Sequence, residues 1–278
     1  MLNQAKLQYY CSNCKGILRE TESEVNLSHI VEPCPFCGSL LSQCLQKKHL
    51  AAVPRIEKPV IFEPASRVPR LTVDIKKIDS IMPFLSLNQK VVVVGYHAQK
   101  LLERLAVRAQ LPHRYGGLGS HVVLVDGGNS SDLYLGINFA RQYGLDIKDV
   151  LSKIISSRAF TVYQLESLIT RELPGIITKY NAKFVIISDI LGMFTNDPYL
   201  DKNDAQLLLN SMLSSISKLK ECLVMVSISK PTRCDGIILQ SFDRIIQLSE
   251  KDDSITVEFD HKNTLAIKSN ELEIISRR

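Results

Sequence analysis

Four cysteines near the start of the chain have the spacing of metal ligands. Cys11 and Cys14 form one Cys-x-x-Cys pair, and Cys34 and Cys37 form a second. Each pair suits a tight turn that aims two sulfurs at one point, and two such turns can surround a tetrahedral ion. Gly38 is expected to allow a close backbone approach just past the last sulfur. The spacing predicts a structural zinc ribbon, and two disulfides are the alternative.

The compartment is predicted from the same cysteines. Cys44 lies outside the pattern and is interpreted as a free thiol. The first ten residues lack the basic start and apolar stretch of a signal peptide. Zinc-binding thiolates are typical of a reducing interior, so we expect a cytoplasmic protein. With 45% hydrophobic and 23% charged residues, the composition is that of a soluble globular protein, and no apolar run is long enough to cross a bilayer.

Basic residues and prolines mark a linker over residues 46–72. Four prolines recur at every fifth position from 54 to 69, which disfavours helix and keeps the chain extended. The whole chain has a net charge of +5, and much of it is concentrated here. The basic cluster is either a solvated connector or a contact for nucleic acid phosphates. The predicted phosphate contacts in this part of the chain are Lys47, Lys48, Arg55 and Lys58.

The elements that must position any further chemistry begin at residue 73. Short β-branched runs alternate there with amphipathic stretches, which predicts an α/β fold with a doubly wound, mostly parallel sheet. The last three apolar runs, between residues 242 and 268, are separated by polar turns and predict a C-terminal β-meander. We therefore divide the chain into a ribbon (1–45), a linker (46–72) and a core (73–278). The five predicted strands before the meander are Lys90–Gly95, His121–Asp126, Val150–Ser156, Lys183–Asp189 and Cys222–Ile228.

Two amphipathic helices are predicted between these strands. The first is Gln99–Ala109, with an apolar face that packs on the sheet. The second carries Leu208, Met212, Ile216 and Leu219 at helical spacing, and Asp204 is its predicted cap.

The loops after the strands are where an open α/β sheet binds its ligands. The loop from Gly95 to Lys100 begins as a phosphate loop does, but lacks the second glycine and the lysine-hydroxyl pair of G-x-x-x-x-G-K-[ST]. The loop Asp126-Gly127-Gly128-Asn129 could nest an anion, and Asp126 is its one carboxylate. These loops are therefore poor in catalytic groups.

Several blocks of the core resemble RadA-type recombinases, the archaeal and eukaryotic branch of the RecA superfamily of strand-exchange ATPases. The resemblance covers about residues 62–278 and implies a RecA-like core, with the ribbon in place of the helical amino-terminal domain found in many family members. It also implies DNA and a recombinase or other repair protein as the partners, with oligomers possible, whereas ATP is a doubtful ligand because the family's ATPase residues are replaced. The blocks that occur in the family's order and spacing are Gln110-Leu111-Pro112, Gly116-Gly117-Leu118, Val122–Asp126, Tyr143-Gly144-Leu145-Asp146, Asp149-Val150-Leu151 and Ser157-Arg158-Ala159-Phe160.

The departures from the family fall on its ATPase residues. The resemblance places the phosphate-loop lysine at Ala98 and the hydroxyl residue at Gln99, in a shortened loop. It places the catalytic glutamate at Gly128 and the Walker B aspartate at Ser188, one residue before Asp189. The family's Asn-Gln pair is replaced as well, by Ile228-Ser229. ATP hydrolysis is therefore not expected, and weak nucleotide binding stays open through Gly95, Lys100, Asp126 and Asp189.

Two further segments correspond to binding elements of the family. A shortened loop with Lys230 and Arg233 stands where the family contacts DNA. The linker sequence Phe62-Glu63-Pro64-Ala65 has the F-x-x-A form by which family protomers dock a phenylalanine into a neighbour. Packing of Phe62 on its own core is the alternative to docking through Phe62 and Ala65.

The hypothesis that combines these observations is a non-catalytic paralogue that assists homologous recombination or repair by binding DNA, a recombinase, or both. One alternative is an active DNA-dependent ATPase that uses Lys100 with Asp126 or Asp189. The other is a zinc-ribbon scaffold for protein interactions in transcription or replication.

Overall fold

A computed structural model describes most of the chain, in two compact units that comprise residues 1–65 and 66–278. The predicted contacts Arg55, Lys58, Phe62, Ala65 and Arg233 lie outside the described residues. The described residues are 7–14, 17–21, 32–35, 37–49, 69–82, 85–197, 199–230 and 235–274.

The first unit contains a small antiparallel sheet. Strand β1 (Leu7–Cys11) lies in the centre and pairs with β2 (Ile17–Thr21) and β3 (Leu45–His49). The short helix α1 (Leu41–Cys44) leads directly into β3. Within the described part of the first unit, the buried cluster consists of Leu41 and two of the predicted ligands, Cys11 and Cys34. An apolar cluster of this size gives little stability by itself, because it buries too little surface to offset the lost chain entropy.

The second unit is built on an eight-stranded sheet. Its strand order is β13-β12-β11-β6-β10-β9-β7-β8, and the strands from β11 to β8 run parallel. β11, β12 and β13 form an antiparallel meander, so the predicted α/β fold is confirmed. A small hairpin of β4 (Arg70–Leu71) and β5 (Leu85–Ser86) precedes the sheet. The strands are β6 (Lys90–Val94), β7 (Val122–Asp126), β8 (Ile154–Arg158), β9 (Phe184–Ser188), β10 (Leu223–Ile228), β11 (Arg244–Lys251), β12 (Ser254–Phe259) and β13 (Asn263–Lys268).

Helices cover both faces of this sheet, and each face has its own apolar cluster. The sequence of strand β6 is continuously apolar because both faces of the strand are buried. Val91 and Val93 belong to one cluster and Val92 to the other. The helices are α2 (Lys76–Ile81), α3 (Ala98–Ala109), α4 (Leu133–Gln142), α5 (Ile147–Ser152), α6 (Val162–Ser167), α7 (Leu173–Tyr180), α8 (Gly192–Asn196), α9 (Lys202–Lys218) and α10 (Asp235–Ser241), with a π-helical turn at Leu168–Glu172 and 3₁₀ turns at His113–Tyr115 and Ser269–Leu272.

A buried arginine on α3 ties the two ends of the second unit together. The Arg104 guanidinium donates to the carbonyls of Val73 at 2.8 Å and Asp74 at 2.9 Å, and to three carbonyls of the segment 271–274 at 3.2 Å each. Burial lowers the pKa of Arg104, and these five acceptors compensate for the solvation that its charge has lost. α3 is thereby fixed between the start and the end of the core.

Two predictions about local structure are wrong. The predicted strand Val150–Ser156 begins as a helix, because Asp146 caps α5 by accepting from the amide of Asp149 at 2.8 Å, and β8 starts only at Ile154. Asp204 is not the cap of α9. Asp201 accepts from the amide of Asn203 at 2.9 Å, so α9 begins earlier and Asp204 lies in its first turn.

Candidate metal centre and nucleotide site

The four cysteines of the first unit converge on one point. The sulfurs of Cys11, Cys14, Cys34 and Cys37 all lie within 4.8 Å of one another. Cys11 Sγ is 3.7 Å from Cys37 Sγ, and Cys14 Sγ is 3.8 Å from Cys34 Sγ. A zinc–sulfur bond of about 2.3 Å places two sulfurs of a tetrahedron about 3.8 Å apart. Both distances therefore fit a tetrahedral thiolate site, and both exceed the length of a disulfide bond of about 2.05 Å.

Backbone hydrogen bonds shape the second of the two cysteine turns. Cys34 exchanges hydrogen bonds with the following residues, through Gly38 N to Cys34 O and Cys34 N to Ser39 O, each at 2.8 Å. Hydrogen bonds from Ser39 hold the pKa of the Cys37 thiol below its usual value, which favours the thiolate that metals bind. Gly38 has φ +72°, and a Cβ added there would meet no atom within 4 Å. Its role is therefore the left-handed turn conformation, and the expected close backbone approach is wrong.

In the second unit, the loop after β6 is a tight turn. Gly95 has φ +123°, and a Cβ there would lie 1.9 Å from the carbonyl oxygen of Leu248 on β11. Only glycine fits this position. The amide of Ala98, at the start of α3, donates to the carbonyl of Gly95 at 3.0 Å. That amide is consequently used within the turn and is not free to bind a phosphate.

Gln99 and Ser188 contact each other directly across the candidate nucleotide site. The Ser188 hydroxyl donates to Gln99 Oε1 and lies 2.9 Å from the hydroxyl of Ser130, and Ser188 is fully buried. Gln99 Nε2 donates in turn to Glu103 at 2.8 Å. The two positions that the resemblance assigns to the metal-holding hydroxyl and aspartate thus hold a neutral amide and a neutral hydroxyl that satisfy one another.

The Asp126 carboxylate is surrounded by donors from its own loop and from β8. Its Oδ1 accepts from the amide of Ser130 at 3.0 Å, and its Oδ2 accepts from the hydroxyl of Ser131. Arg158 Nε lies 3.2 Å from the same Oδ2, and the side chain of Asp126 is buried. Asp126 therefore stabilises the turn that follows β7, as an acceptor whose lone pairs are largely occupied.

Asp189 is held between two glycines just after β9. Its φ is +47°, and its Oδ1 accepts from the amide of Ser229 at 3.0 Å, which links the loops after β9 and β10. A Cβ on Gly128 would lie 2.4 Å from Asp189 Oδ2, and one on Gly192 would lie 2.7 Å from it. A glutamate at position 128 would collide with Asp189. The placement of Asp189 therefore excludes a glutamate at position 128, where the resemblance puts the family's catalytic glutamate.

Two basic side chains near the loop after β6, Lys100 and His97, have acidic partners. Lys100 Nζ forms an ion pair with Glu273, near the end of the described chain. His97 is buried, and its Nε2 lies 3.1 Å from Glu250 Oε2, although neither ring nitrogen has an aligned hydrogen bond. Neither side chain stands as an unpaired cation beside the loop.

Glu103 on α3 is a buried carboxyl that the sequence did not suggest. Desolvation raises its pKa to about 7, although Gln99 Nε2 and the amide of Asp132 donate to it. The nearby carboxylates of Asp132 and Asp126 raise the pKa of Glu103 further. The folded protein therefore favours the neutral acid at this position.

This gives a prediction for the pH dependence of stability. The pKa of Glu103 is about 7 in the folded chain, against an ordinary value of 4.5, so the folded state binds this proton more tightly than the unfolded state. The stability that the proton confers is complete below pH 4.5 and is lost as the pH rises through 7. Glu103→Gln should therefore reduce the loss of unfolding free energy between acidic and mildly alkaline pH by about 3 kcal/mol.

Urea unfolding of both proteins, followed by circular dichroism across that pH range, measures the difference. Glu172→Gln, a change at an exposed carboxylate, serves as the control and should keep the wild-type profile. An unchanged profile for Glu103→Gln would contradict the assignment.

The predicted DNA contacts are only partly described. Lys47 and Lys48 lie on β3 of the first unit, where their side chains are outside the described set. Lys230 follows β10 and is exposed. The structure thus places Lys230 at the carboxyl end of the sheet, on the same edge as the loops after β6 and β7.

The Rad51 family model matches residues 95–234, which is half of the chain. The chain belongs to the Rad51 family, whose members are DNA-binding ATPases of recombination and repair. Membership implies association with DNA and with recombinases in general, and the catalytic status of an individual member has to be argued from its own residues.

None of the helices in the described ranges has the length and apolar character that a membrane span requires.

Proposed function

We propose that this chain is a non-catalytic Rad51-family paralogue that assists homologous recombination or repair by binding DNA, a catalytic recombinase, or both. The observation that supports this most strongly is the direct contact between Ser188 and Gln99. A Mg²⁺-nucleotide needs a hydroxyl and a carboxylate at these two positions. An amide and a hydroxyl that are paired with each other offer no negative charge to the metal.

Phosphate binding lacks support as well, because no free lysine is available for the phosphates at the described loop after β6. Ala98 stands where the resemblance places the lysine, and Lys100 is paired with Glu273. Charge stabilisation of the transferred phosphoryl group is the main contribution of such sites to catalysis. A core without these groups can still act by binding other molecules through its surfaces.

Zn²⁺ is the proposed ion of the cysteine site. Four sulfurs with tetrahedral spacing suit a closed, structural zinc site, because catalytic zinc sites keep one position open for water. The ion would fix the ribbon, and the ribbon would present β3 with Lys47 and Lys48. We propose these lysines, together with Arg55, Lys58, Lys230 and Arg233, as contacts for DNA phosphates that carry little sequence preference.

The linker motif provides the proposed contact to a recombinase. If Phe62 fills a pocket on a neighbouring RecA-like core and Ala65 packs beside it, Phe62→Ala should weaken the complex by about 2 kcal/mol or more. The measurement is binding of the purified chain to a Rad51-family recombinase, combined with its effect on strand exchange by that recombinase. Wild type is expected to bind and to stimulate exchange.

Ile56→Ala, a change at another apolar linker residue outside the motif, should leave both readouts unchanged. The melting temperature separates docking from packing of Phe62 on its own core. A lower melting temperature for Phe62→Ala with undiminished recombinase binding would refute the docking role, and no effect of the wild-type chain on exchange would refute the accessory role.

A further inference from the structure

A row of basic side chains lies where three parallel strands begin. Val122 at the start of β7 pairs with Ile154 on β8 and with Phe184 on β9. The register therefore sets His121 between Lys153 and Lys183 on neighbouring strands, about 4.8 Å from each. Two hydrogen bonds fix this arrangement, from Val122 N to Lys153 O at 2.9 Å and from Lys183 N to Ser120 Oγ at 2.7 Å.

Aromatic rings lie beside basic side chains at this edge. The ring of Tyr180, at the end of α7, lies 6.0 Å from that of His121, and Lys179 Nζ is 5.2 Å from the centre of the same tyrosine ring. Arg114 stacks over Tyr115 at 4.7 Å, and Tyr115 is 52% exposed. Tyr115 thus combines an exposed ring with an adjacent positive charge, and the partly buried Tyr180 also lies beside a lysine.

Most of the basic side chains at this edge have no acidic partner among the described residues. The connections that lead into β7, β9 and β10 span residues 110–121, 179–183 and 218–222, and Glu221 is their only carboxylate. The described structure contains no ion pair for their lysines and arginines, whereas Lys153 is paired with Asp149 at 2.7 Å. Helix dipoles favour Lys179 and Lys218 at the ends of α7 and α9. That explanation does not extend to the other basic residues, which are Arg114, Lys183 and Lys220.

We propose that this edge binds a single-stranded nucleic acid, with phosphates on the lysines and arginine and bases stacked on the tyrosines. We call it the amino-edge surface, and it consists of Arg114, Tyr115, His121, Lys179, Tyr180 and Lys183. Interleaved rings and cations are the combination by which proteins hold single strands with little sequence preference. An acidic protein segment would use the cations and leave the rings without a role.

The amino-edge surface is separate from the contacts of the proposed function in the core. Lys230 follows the carboxyl end of β10, whereas these residues precede the amino ends of β7 and β9. The two sets lie at opposite edges of one parallel sheet. The inference therefore goes beyond the proposed function, and it can fail without affecting it.

Fluorescence anisotropy of the full chain with a labelled oligothymidylate, measured over a salt series, tests the charges. Lys179→Glu/Lys183→Glu should weaken binding about tenfold or more and reduce the salt slope by about 1.4, because each lost phosphate contact contributes about 0.7 for single strands. Lys202→Glu/Lys251→Glu changes the charge equally at exposed positions elsewhere and should keep the wild-type slope. Circular dichroism verifies folding, and the milder Arg114→Gln/Lys179→Gln replaces the first variant if it does not fold.

An abasic strand of the same length tests the rings. Tyr115→Leu/Tyr180→Leu should weaken binding of oligothymidylate at least fivefold and leave binding of the abasic strand unchanged. Tyr134→Leu, at an 81% exposed tyrosine after β7, is the matched control.

The charge variant could lose binding while the tyrosine variant binds oligothymidylate and the abasic strand with wild-type affinity. The surface would then be a general polyanion site suited to an acidic protein, and the nucleic acid proposal would be overturned. A charge variant with wild-type affinity and slope also overturns it. In that case Lys47→Glu/Lys48→Glu still reports separately on the DNA contacts of the proposed function.

Discussion

Removal of zinc is expected to unfold the first unit and to leave the second unit folded. Among the described residues of the ribbon, the buried cluster consists of two ligand cysteines and Leu41, with Leu18 and Leu45 packed against it, so this apolar cluster is small. Metal binding supplies about 10 kcal/mol or more of folding free energy in comparable thiolate sites. The second unit has separate clusters on both faces of its sheet and does not depend on the ion.

Metal analysis of protein purified without chelator should give one zinc per chain. Cys14→Ser should abolish zinc binding and the protection of the ribbon in hydrogen exchange, while the exchange of the core strands is unchanged. Cys44→Ser is the control, because Cys44 lies outside the two Cys-x-x-Cys pairs of the sequence. This variant should retain the metal. Protein without zinc, or a Cys14→Ser ribbon that remains protected, would contradict the assignment.

The sequence predicted the elements whose signal is local. The cysteine spacing required only two short turns and their sulfurs, and these four side chains do converge. Strand β6 was predictable because a parallel strand that is buried on both faces is apolar at consecutive positions. The meander was predictable because polar turns separate its short runs.

The contacts that define the candidate nucleotide site could not be predicted in this way. Gln99 and Ser188 are 89 positions apart, and nothing in either residue's neighbourhood indicates that their side chains meet. The dependence of Asp189 on Gly128 is likewise a property of two loops that the sheet brings together. A family resemblance identified which positions had changed, and only the structure shows that the replacements satisfy one another.

Two buried ionisable side chains could not be predicted from the sequence either. Glu103 and Arg104 lie on α3 among apolar residues, where the helical pattern alone favours solvent-exposed positions for both. A weak signal existed, since Gln99 and Glu103 are four residues apart and can pair along one helix face. The partners that make burial tolerable come from the termini of the core and from the loop before α4.

Loss of ATP turnover is the second large effect that we predict. Each charge-stabilising group that such a site lacks reduces the rate about 10²- to 10³-fold, so the loss of two should lower it by about 10⁴-fold or more. Gln99 and Ser188, at the positions that the resemblance assigns to metal binding, form a neutral pair, and Lys100 forms an ion pair with Glu273. Single-stranded DNA should not restore activity, because it supplies neither the metal ligand nor the phosphate-binding lysine.

The most direct test of this account is therefore a measurement of phosphate release from Mg²⁺-ATP by the purified full chain, with and without single-stranded DNA. We predict no release above that of buffer, for wild type and for Lys100→Ala alike. Lys202→Ala, a change at an exposed lysine on α9, controls for loss of a positive charge elsewhere. Turnover by wild type that Lys100→Ala abolishes and Lys202→Ala retains would show that the loop after β6 is a working phosphate site, and would contradict the non-catalytic assignment.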